Sequence, residues 1–399
     1  MLRAVSKFGG SSVADAACVS RVVSLIKAPP ADRTRQHVVV SAPGKRTLPD
    51  GAADIKVTDL LLKAHGLAAA KSRAEYDATM STIAARFMEL CPGLASLQAG
   101  LDAAARDIYD HGELDTGFAA SRGEYLNGLV VAHETGMEFV NPAEDFIIFG
   151  EDRKLDAART LEAVRRRVAC QPGAPGFVIP GFFGGVGGKA TPQMVATMSR
   201  GGSDVTASLV AAALATDLKT SAHDPGAGDF GGVVHENFTD VDGVYSTDPR
   251  LCPTAKSMPN LSYGQTHALA LAGAGVLHPD AVTPLVSLGV PIHVRSTWDA
   301  EGKGTWISAK AAEGEEVAAL PSAATTEASV LALGRVTALA VAGSGSRVTV
   351  VCKEVADSLA LSLAVTPARI LTLALALTLT RWRSRGWGGA RLSRASPRR

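Results

Sequence analysis

Lys7-Phe8-Gly9-Gly10-Ser11-Ser12-Val13 lies between two segments of different periodicity. Before it, residues 2–5 form a short apolar run that suits a buried strand. After it, Ala16, Val19, Val22, Val23 and Ile26 recur at helical spacing, so strand, tight turn and helix follow in order. Ser12 with Asp15 three residues on resembles a capping box and marks where the helix opens. Paired glycines let backbone N–H groups approach a ligand closely, and a helix N-terminus favours anions. Lys7, at the end of the strand, adds a point charge suited to a phosphate. The spacing is not that of a P-loop, whose lysine follows the glycines. In isolation, a plain glycine turn beside a solvated lysine would read the same.

With 399 residues the chain is long enough for two domains, or for one large α/β domain with an extension. A formal net charge of +1 gives no global reason to expect nucleic acid as a partner. The five cysteines lie far apart without a C-x-x-C pair, which disfavours a zinc ribbon or a disulfide framework and fits a reducing compartment. Met1 stands six residues before Lys7, so we expect no targeting peptide. The longest apolar run, 371–379, is too short to span a bilayer. The expectation is a cytoplasmic α/β protein without a membrane partner.

Further along, 37–42 is a β-branched run ending in Pro43-Gly44, a strand feeding a loop where open α/β sheets place ligands. Helices are expected from residue 57, across 74–110 with a break at Pro92-Gly93, and over 113–135, which contains Ser121-Arg122-Gly123-Glu124. Gly123 in mid-helix hints at close packing or a nearby ligand. Short strands at 137–140 and 145–149 precede a helix over about 154–169, whose three arginines read as a solvated face. A buried strand at 177–183 leads into a glycine-rich loop at 184–188. Ser199-Arg200-Gly201-Gly202-Ser203-Asp204 then repeats the opening pattern before an alanine-rich helix at 205–215. Residues 219–234 lack an apolar period and read as a loop insertion or an error in the gene sequence. A strand resumes at 233–239, helical spacing covers 262–272 and 280–288, and 291–294 is the last strand expected. This alternation argues a largely parallel sheet with helices on both faces. Beyond about 315 that grammar is lost, and 381–399 is an arginine-rich tail expected to be disordered.

Taken together, the Lys7–Val13 stretch, Ser121-Arg122-Gly123-Glu124, Ser199–Asp204 and Phe238-Thr239-Asp240-Val241-Asp242-Gly243-Val244-Tyr245 resemble aspartate kinase (aspartokinase), of the amino-acid kinase superfamily, over roughly 3–310. The resemblance implies a three-layer αβα sandwich around a mainly parallel sheet, as in carbamate kinase-like folds, with a catalytic domain at 1–312 and an atypical region at 313–399 in place of ACT regulatory domains. It implies ATP with Mg²⁺ as cofactors, L-aspartate as substrate and 4-phospho-L-aspartate as product, and it allows a homodimer. It implies that Lys7 and Asp204 are catalytic, Lys7 bridging the transferred phosphoryl group and Asp204 orienting it. Thr58, Glu124, Arg200, Gly201, Gly202 and Ser203 would bind substrate. Lys7, Gly9, Gly10, Ser11, Ser41, Thr239, Asp240, Tyr245, Arg250 and Gly275 would bind ATP. No protein-held metal cage is expected, because nucleotide phosphates and water hold Mg²⁺ in such sites. His111-Gly112-Glu113 mimics the substrate motif, but Glu124 fits with a longer matching helix.

Two departures stand out. Gly273-Ala274-Gly275 carries glycine where many family members have a nucleotide-contacting lysine, and 317–399 lacks the βαββαβ rhythm of ACT domains. Residues 331–351 would be at most a remnant strand pair, and feedback control becomes doubtful. Two other readings remain open here: a catalytically impaired binding protein, and another kinase of the same superfamily.

Overall fold

A computed structural model of the chain describes residues 2–46, 54–168, 176–198, 201–221, 232–245, 255–271 and 277–309, with three short strands further on. By its internal contacts the chain divides into two units, Met1–Glu315 and Glu316–Arg399.

The first unit opens with β1 (Leu2–Phe8), α1 (Ala16–Lys27) and β2 (Arg33–Val40). Helices α2 (Val57–Ala69), α3 (Arg73–Leu90), α4 (Ala95–Asp110) and α5 (Gly117–Thr135) follow. Next come β3 (Glu138–Phe139), β4 (Ile148–Phe149), α6 (Ala157–Val168), β5 (Phe177–Pro180), β6 (Phe183–Val186) and β7 (Val195–Thr197). The remainder is α7 (Gly202–Ser221), β8 (Val233–Thr239), β9 (Val244–Tyr245), β10 (Ser257–Met258), β11 (Asn260–Ser262), α8 (Tyr263–Leu271), α9 (Pro279–Val286), β12 (Ile292–Ser296) and β13 (Thr305–Ser308).

Eight strands form the central sheet in the order β11-β13-β12-β8-β1-β2-β5-β3. Only β12 and β13 pair antiparallel there; the other neighbours run parallel. Alternate residues of β2 divide between two cores, as the two-residue period of a strand requires. Val38 and Val40 pack with Val22 of α1, Leu61 of α2 and Val130 of α5, whereas Val39 packs with Val164 of α6, Val210 of α7 and Leu285 of α9. The result is a three-layer αβα sandwich with a mainly parallel sheet.

Several boundaries differ from the sequence expectation. Asp15, not Ser12, caps α1, accepting from the Cys18 amide at 2.8 Å, while the Ser12 hydroxyl bonds that of Thr297 at 2.7 Å. The 177–183 run is two strands in two sheets, because β6 leaves the main sheet to pair with β4 and β7. Gly184 and Gly185 are therefore strand rather than loop. The 219–234 stretch is narrower than expected, since α7 continues to Ser221 and β8 starts at Val233; residues 222–231 lie outside the described residues. The 291–294 strand is followed by β13. The second unit holds a three-stranded antiparallel sheet, β14 (Ala338–Ala340), β15 (Arg347–Val351) and β16 (Ala360–Ala364), one strand beyond the pair expected; the 381–399 tail lies outside the described residues. Among the described residues, no helix is long and apolar enough to cross a membrane.

One buried polar network bears on stability. Glu236 of β8 is fully buried and receives Arg35 Nε at 2.6 Å, Arg33 Nη1 at 3.0 Å and the Ser6 hydroxyl at 2.8 Å. Burial disfavours its charge, but the bonds and charge of Arg35, with Ser6 and Arg33, outweigh it and hold Glu236 at about 2. Burial lowers His37, His235 and His293 to about 4. In each case the unfolded chain binds protons that the folded chain refuses, so stability declines as pH falls. We expect the melting temperature to drop as pH falls from 6.5 towards 4 through the histidines, and again below 4.5 through Glu236. A flat profile across that range in a thermal-melt series would contradict this.

Candidate active site

Strand β1 occupies the middle of the sheet, and its last turn carries Lys7 into a nine-tenths buried position. Asp204, in the first turn of α7, meets the Lys7 ammonium at 2.7 Å. Asn237 of β8, the register partner of Lys7, accepts from it at 3.2 Å. A Cβ built on Gly9 would stand 3.4 Å from Lys7 Nζ, so the ammonium lies over the glycine turn. Three elements thus converge on one cation, whose burial is offset by a carboxylate in the same site.

The turn is locked to the loop after β2. Ser41 donates its amide to the Phe8 carbonyl at 3.2 Å, and Gly44 donates to that of Gly10 at 2.9 Å. A Cβ on Gly44 would sit 2.7 Å from the Gly10 carbonyl and 3.0 Å from the Ser11 amide, so this approach is possible only backbone to backbone. Pro43 then accepts from the Val57 amide at 3.3 Å, which starts α2 and sets Thr58, half-buried, in its first turn. Asn127 of α5 donates to the Ser41 carbonyl at 2.7 Å.

Glu124 is buried on α5, one residue after Gly123, whose added Cβ would meet Ala42 Cβ at 2.7 Å. The hint in Gly123 is therefore close packing of helix on loop. The Glu124 carboxylate lies near the Ala42 amide, and its Oε2 has no partner among the described residues. Burial pushes its pKa up to about 8, against the Ala42 amide and the charge of Arg122. Arg122 is itself buried, its guanidinium 4.4 Å from the Phe118 ring centre, 4.5 Å from Tyr125 and 5.3 Å from Phe183. Burial lowers it to about 10.

The second glycine turn leads into α7. Gly201 has φ of +79°, and a Cβ there would collide with the His278 side chain, so the turn suits glycine alone. Gly202 and Ser203 begin the helix, Ser203 lying against Gly181 at the end of β5. Beneath Asp204, Ser208 donates to its carbonyl at 3.0 Å and contacts His235 Nδ1 at 3.4 Å. Thr239 follows Phe238, whose carbonyl accepts from the Gly9 amide at 3.3 Å, and its hydroxyl donates to Asp240 at 3.1 Å. Tyr245 lies further along on β9 and donates to Asp242 at 2.5 Å.

Lys7, Gly9, Gly10, Ser11, Ser41, Glu124, Thr58, Asp204 and Thr239 are thus linked through one set of loop contacts at the C-terminal ends of β1, β2 and β8. Arg200, Arg250 and Gly275 lie outside the described residues. His111-Gly112-Glu113 packs on Ala68, at the far end of α2 from Thr58. Asn237, Asn127 and Ala42 were not singled out from sequence; only the register of β8 on β1 exposes Asn237, and no motif marks the other two. The cluster of Cys91, His133 and Glu134 sits ten residues of α5 beyond Glu124, roughly 15 Å along the helix. Its thiol and imidazole donors do not suit Mg²⁺.

The arrangement offers a fixed cation above backbone amides, and beside it a buried carboxyl group short of a donor. Glu124, whose folded pKa is raised, costs the empty protein stability as pH rises from 4.5 towards 8, because the unfolded chain ionises first. Glu124→Gln is therefore expected to raise the melting temperature of the ligand-free protein increasingly over that interval. A difference from the parent that does not grow with pH would contradict it.

The sequence profile described as "Amino acid kinase family" matches residues 3–222 and 234–296. Aspartokinase 3 of Bacillus subtilis is 30% identical over 322 residues, covering 77% of this chain and 63% of its own length. The solved aspartate kinase of Clostridium acetobutylicum superposes with a TM-score of 0.62 at 31% identity, over 77% of this chain and 63% of that one. Aspartokinase III of E. coli, solved with aspartate and ADP, gives a TM-score of 0.61 at 23% identity, covering 78% of this chain and 65% of its own, and supports the fold. The chain therefore spans somewhat under two thirds of these relatives. A matching profile over most of the chain, on an αβα sandwich with paired glycine turns at its sheet edge, places this protein in the amino acid kinase family.

Proposed function

We propose that the chain is an aspartate kinase, a phosphotransferase with a carboxyl group as acceptor. It would move the γ-phosphoryl group of MgATP to the side-chain carboxylate of L-aspartate, giving 4-phospho-L-aspartate and ADP, the first step towards lysine, methionine and threonine. The observation that carries this reading is Lys7, paired at 2.7 Å with Asp204 above the Gly9 turn and joined through Ala42 to the half-satisfied Glu124.

A carboxylate is already nucleophilic at neutral pH, so the site needs no general base. It must bring two anions together in line and offset their repulsion. In this reading an aspartate oxygen bonds to the γ-phosphorus as the bond to the β-phosphate oxygen breaks. Lys7 and the amides of Gly10 and Ser11 stabilise the transferring charge, with Ser41 beside them, while Gly9, its amide held by the Phe238 carbonyl, lets the turn pass close under Lys7. Asp204 and Asn237 hold Lys7 in place. The substrate ammonium supplies the donor that Glu124 Oε2 lacks and draws its proton off. Thr58, Ser203 and the Gly201 and Gly202 amides flank the same acceptor, with Arg200 assigned to the α-carboxylate. Thr239, Asp240, Tyr245, Arg250 and Gly275 are assigned to the nucleotide. Asp204 is already committed to Lys7, which fits Mg²⁺ being held by the phosphates and water. The same proposal sets the reaction in the cytoplasm, consistent with Cys18 and Cys91 as buried free thiols.

Purified protein with MgATP, aspartate and hydroxylamine is expected to form aspartyl hydroxamate, the trapped acyl phosphate. Lys7→Ala should lower kcat by about a hundredfold or more while leaving the aspartate Kd within about twofold. Hydroxamate formed from glutamate or acetylglutamate in place of aspartate would overturn the substrate assignment. Near-normal turnover in Lys7→Ala would remove that residue from the mechanism.

A further inference from the structure

A cavity of about 360 Å³ opens where β12, β13 and the start of β2 meet the loop before β13. Its lining includes Arg33, Arg295, Lys303, His293 and Trp306, and no acidic residue. Arg33 opens β2 and Val40 closes it, so about 20 Å of strand separates this end of β2 from the glycine turns.

Three features of the wall point to a ligand. The first is charge. Glu236 is shared among Arg33, Arg35 and Arg295, the last at 3.4 Å, and Asp32 is engaged by Arg33 Nε and Nη2 at 2.9 Å each. Lys303 adds an exposed fourth cation. The loop acid Asp299 is exposed beside Gly302 of the lining, accepting from the Glu301 and Gly302 amides at 3.1 and 2.9 Å. Three carboxylates thus stand near four cations, a small surplus of positive charge.

The second is an unfilled donor. Arg295 is 6% exposed, and its Nη2 donates to the Ala300 carbonyl at 2.7 Å. Its Nε is buried with no partner among the described residues. Buried guanidinium donors are ordinarily satisfied, so this Nε marks polar demand left inside the wall of the cavity.

The third is a flat wall. His293 stacks on Trp306 with centroids 3.9 Å apart and planes 14° from parallel. Arg33 stands 5.6 Å from the Trp306 ring centre. The imidazole is fixed as a neutral tautomer: Nδ1 faces the Arg33 donor at 3.4 Å and Nε2 donates to the Lys303 carbonyl at 2.8 Å. The volume suits a small molecule.

We propose that this cavity is a second ligand site, binding a small organic anion whose carboxylate or phosphate end meets Arg295 and Lys303 and whose planar body lies against the Trp306 wall. The site is separate from the glycine turns, and its failure would leave the kinase reading untouched.

The test is calorimetric titration of the full chain with benzoate, phenyl phosphate and inorganic phosphate, each repeated with variants. Saturable binding of benzoate or phenyl phosphate is expected, and whichever binds identifies the charged group. Arg295→Gln should weaken it roughly tenfold, the worth of one charge-assisted hydrogen bond. Lys303→Ala, an exposed and screened charge, should weaken it about threefold. MgATP affinity in both variants should stay within about twofold of the parent, as for distant sites. If Arg295→Gln does not fold, Lys303→Ala and Trp306→Leu decide. No saturable binding, binding indifferent to these variants, or inorganic phosphate binding as tightly as phenyl phosphate would overturn the proposal.

Discussion

An ammonium group nine-tenths removed from water keeps its charge only if an anion accompanies it, and Lys7 has Asp204 at 2.7 Å. That pair ties the end of β1 to the first turn of α7. Asn237, opposite Lys7 in the β1–β8 register, ties in a third element. A buried ion pair of this kind adds little net stability; its value here is positional. It fixes one positive charge directly over the Gly9 turn without rearranging the sheet.

The second constraint is steric. Gly10 and Gly44 meet backbone to backbone, and Gly123 lets α5 close against Ala42. These contacts bring the Gly9–Gly10 turn and the Glu124 carboxyl group to one loop. In the empty site the carboxyl group is held neutral by burial, one oxygen without a partner. The site therefore holds, near the Lys7–Asp204 pair, a buried carboxyl group that lacks a donor.

Much of this was readable in the chain. The switch from apolar run to glycine pair to helical spacing located the Lys7 turn, and its repetition at Gly201–Asp204 located the second. Their facing could be inferred because parallel strands gather their C-terminal ends at one edge. What sequence concealed was set by register and packing. Asn237 reaches Lys7 only because β8, 230 positions away, pairs with β1 in that alignment. The first half of β2, Arg33 to Gln36, has no apolar alternation, since Arg33 and Arg35 are buried on Glu236 rather than exposed. The charge in that stretch hides its two-residue period, so the expected strand starts only at 37 whereas β2 starts at Arg33. The split of the 177–183 run escaped notice because two consecutive buried strands in different sheets share one hydrophobic signal.

The account rests on Lys7 and Asp204 acting as one unit, and a double-mutant cycle on turnover measures that directly. Lys7→Ala, Asp204→Ala and the double variant would be compared in the aspartate-dependent reaction under saturating MgATP. If the carboxylate works through the ammonium, the double variant loses no more rate than the worse single one. Fully additive losses would show two independent contributions and contradict the shared site.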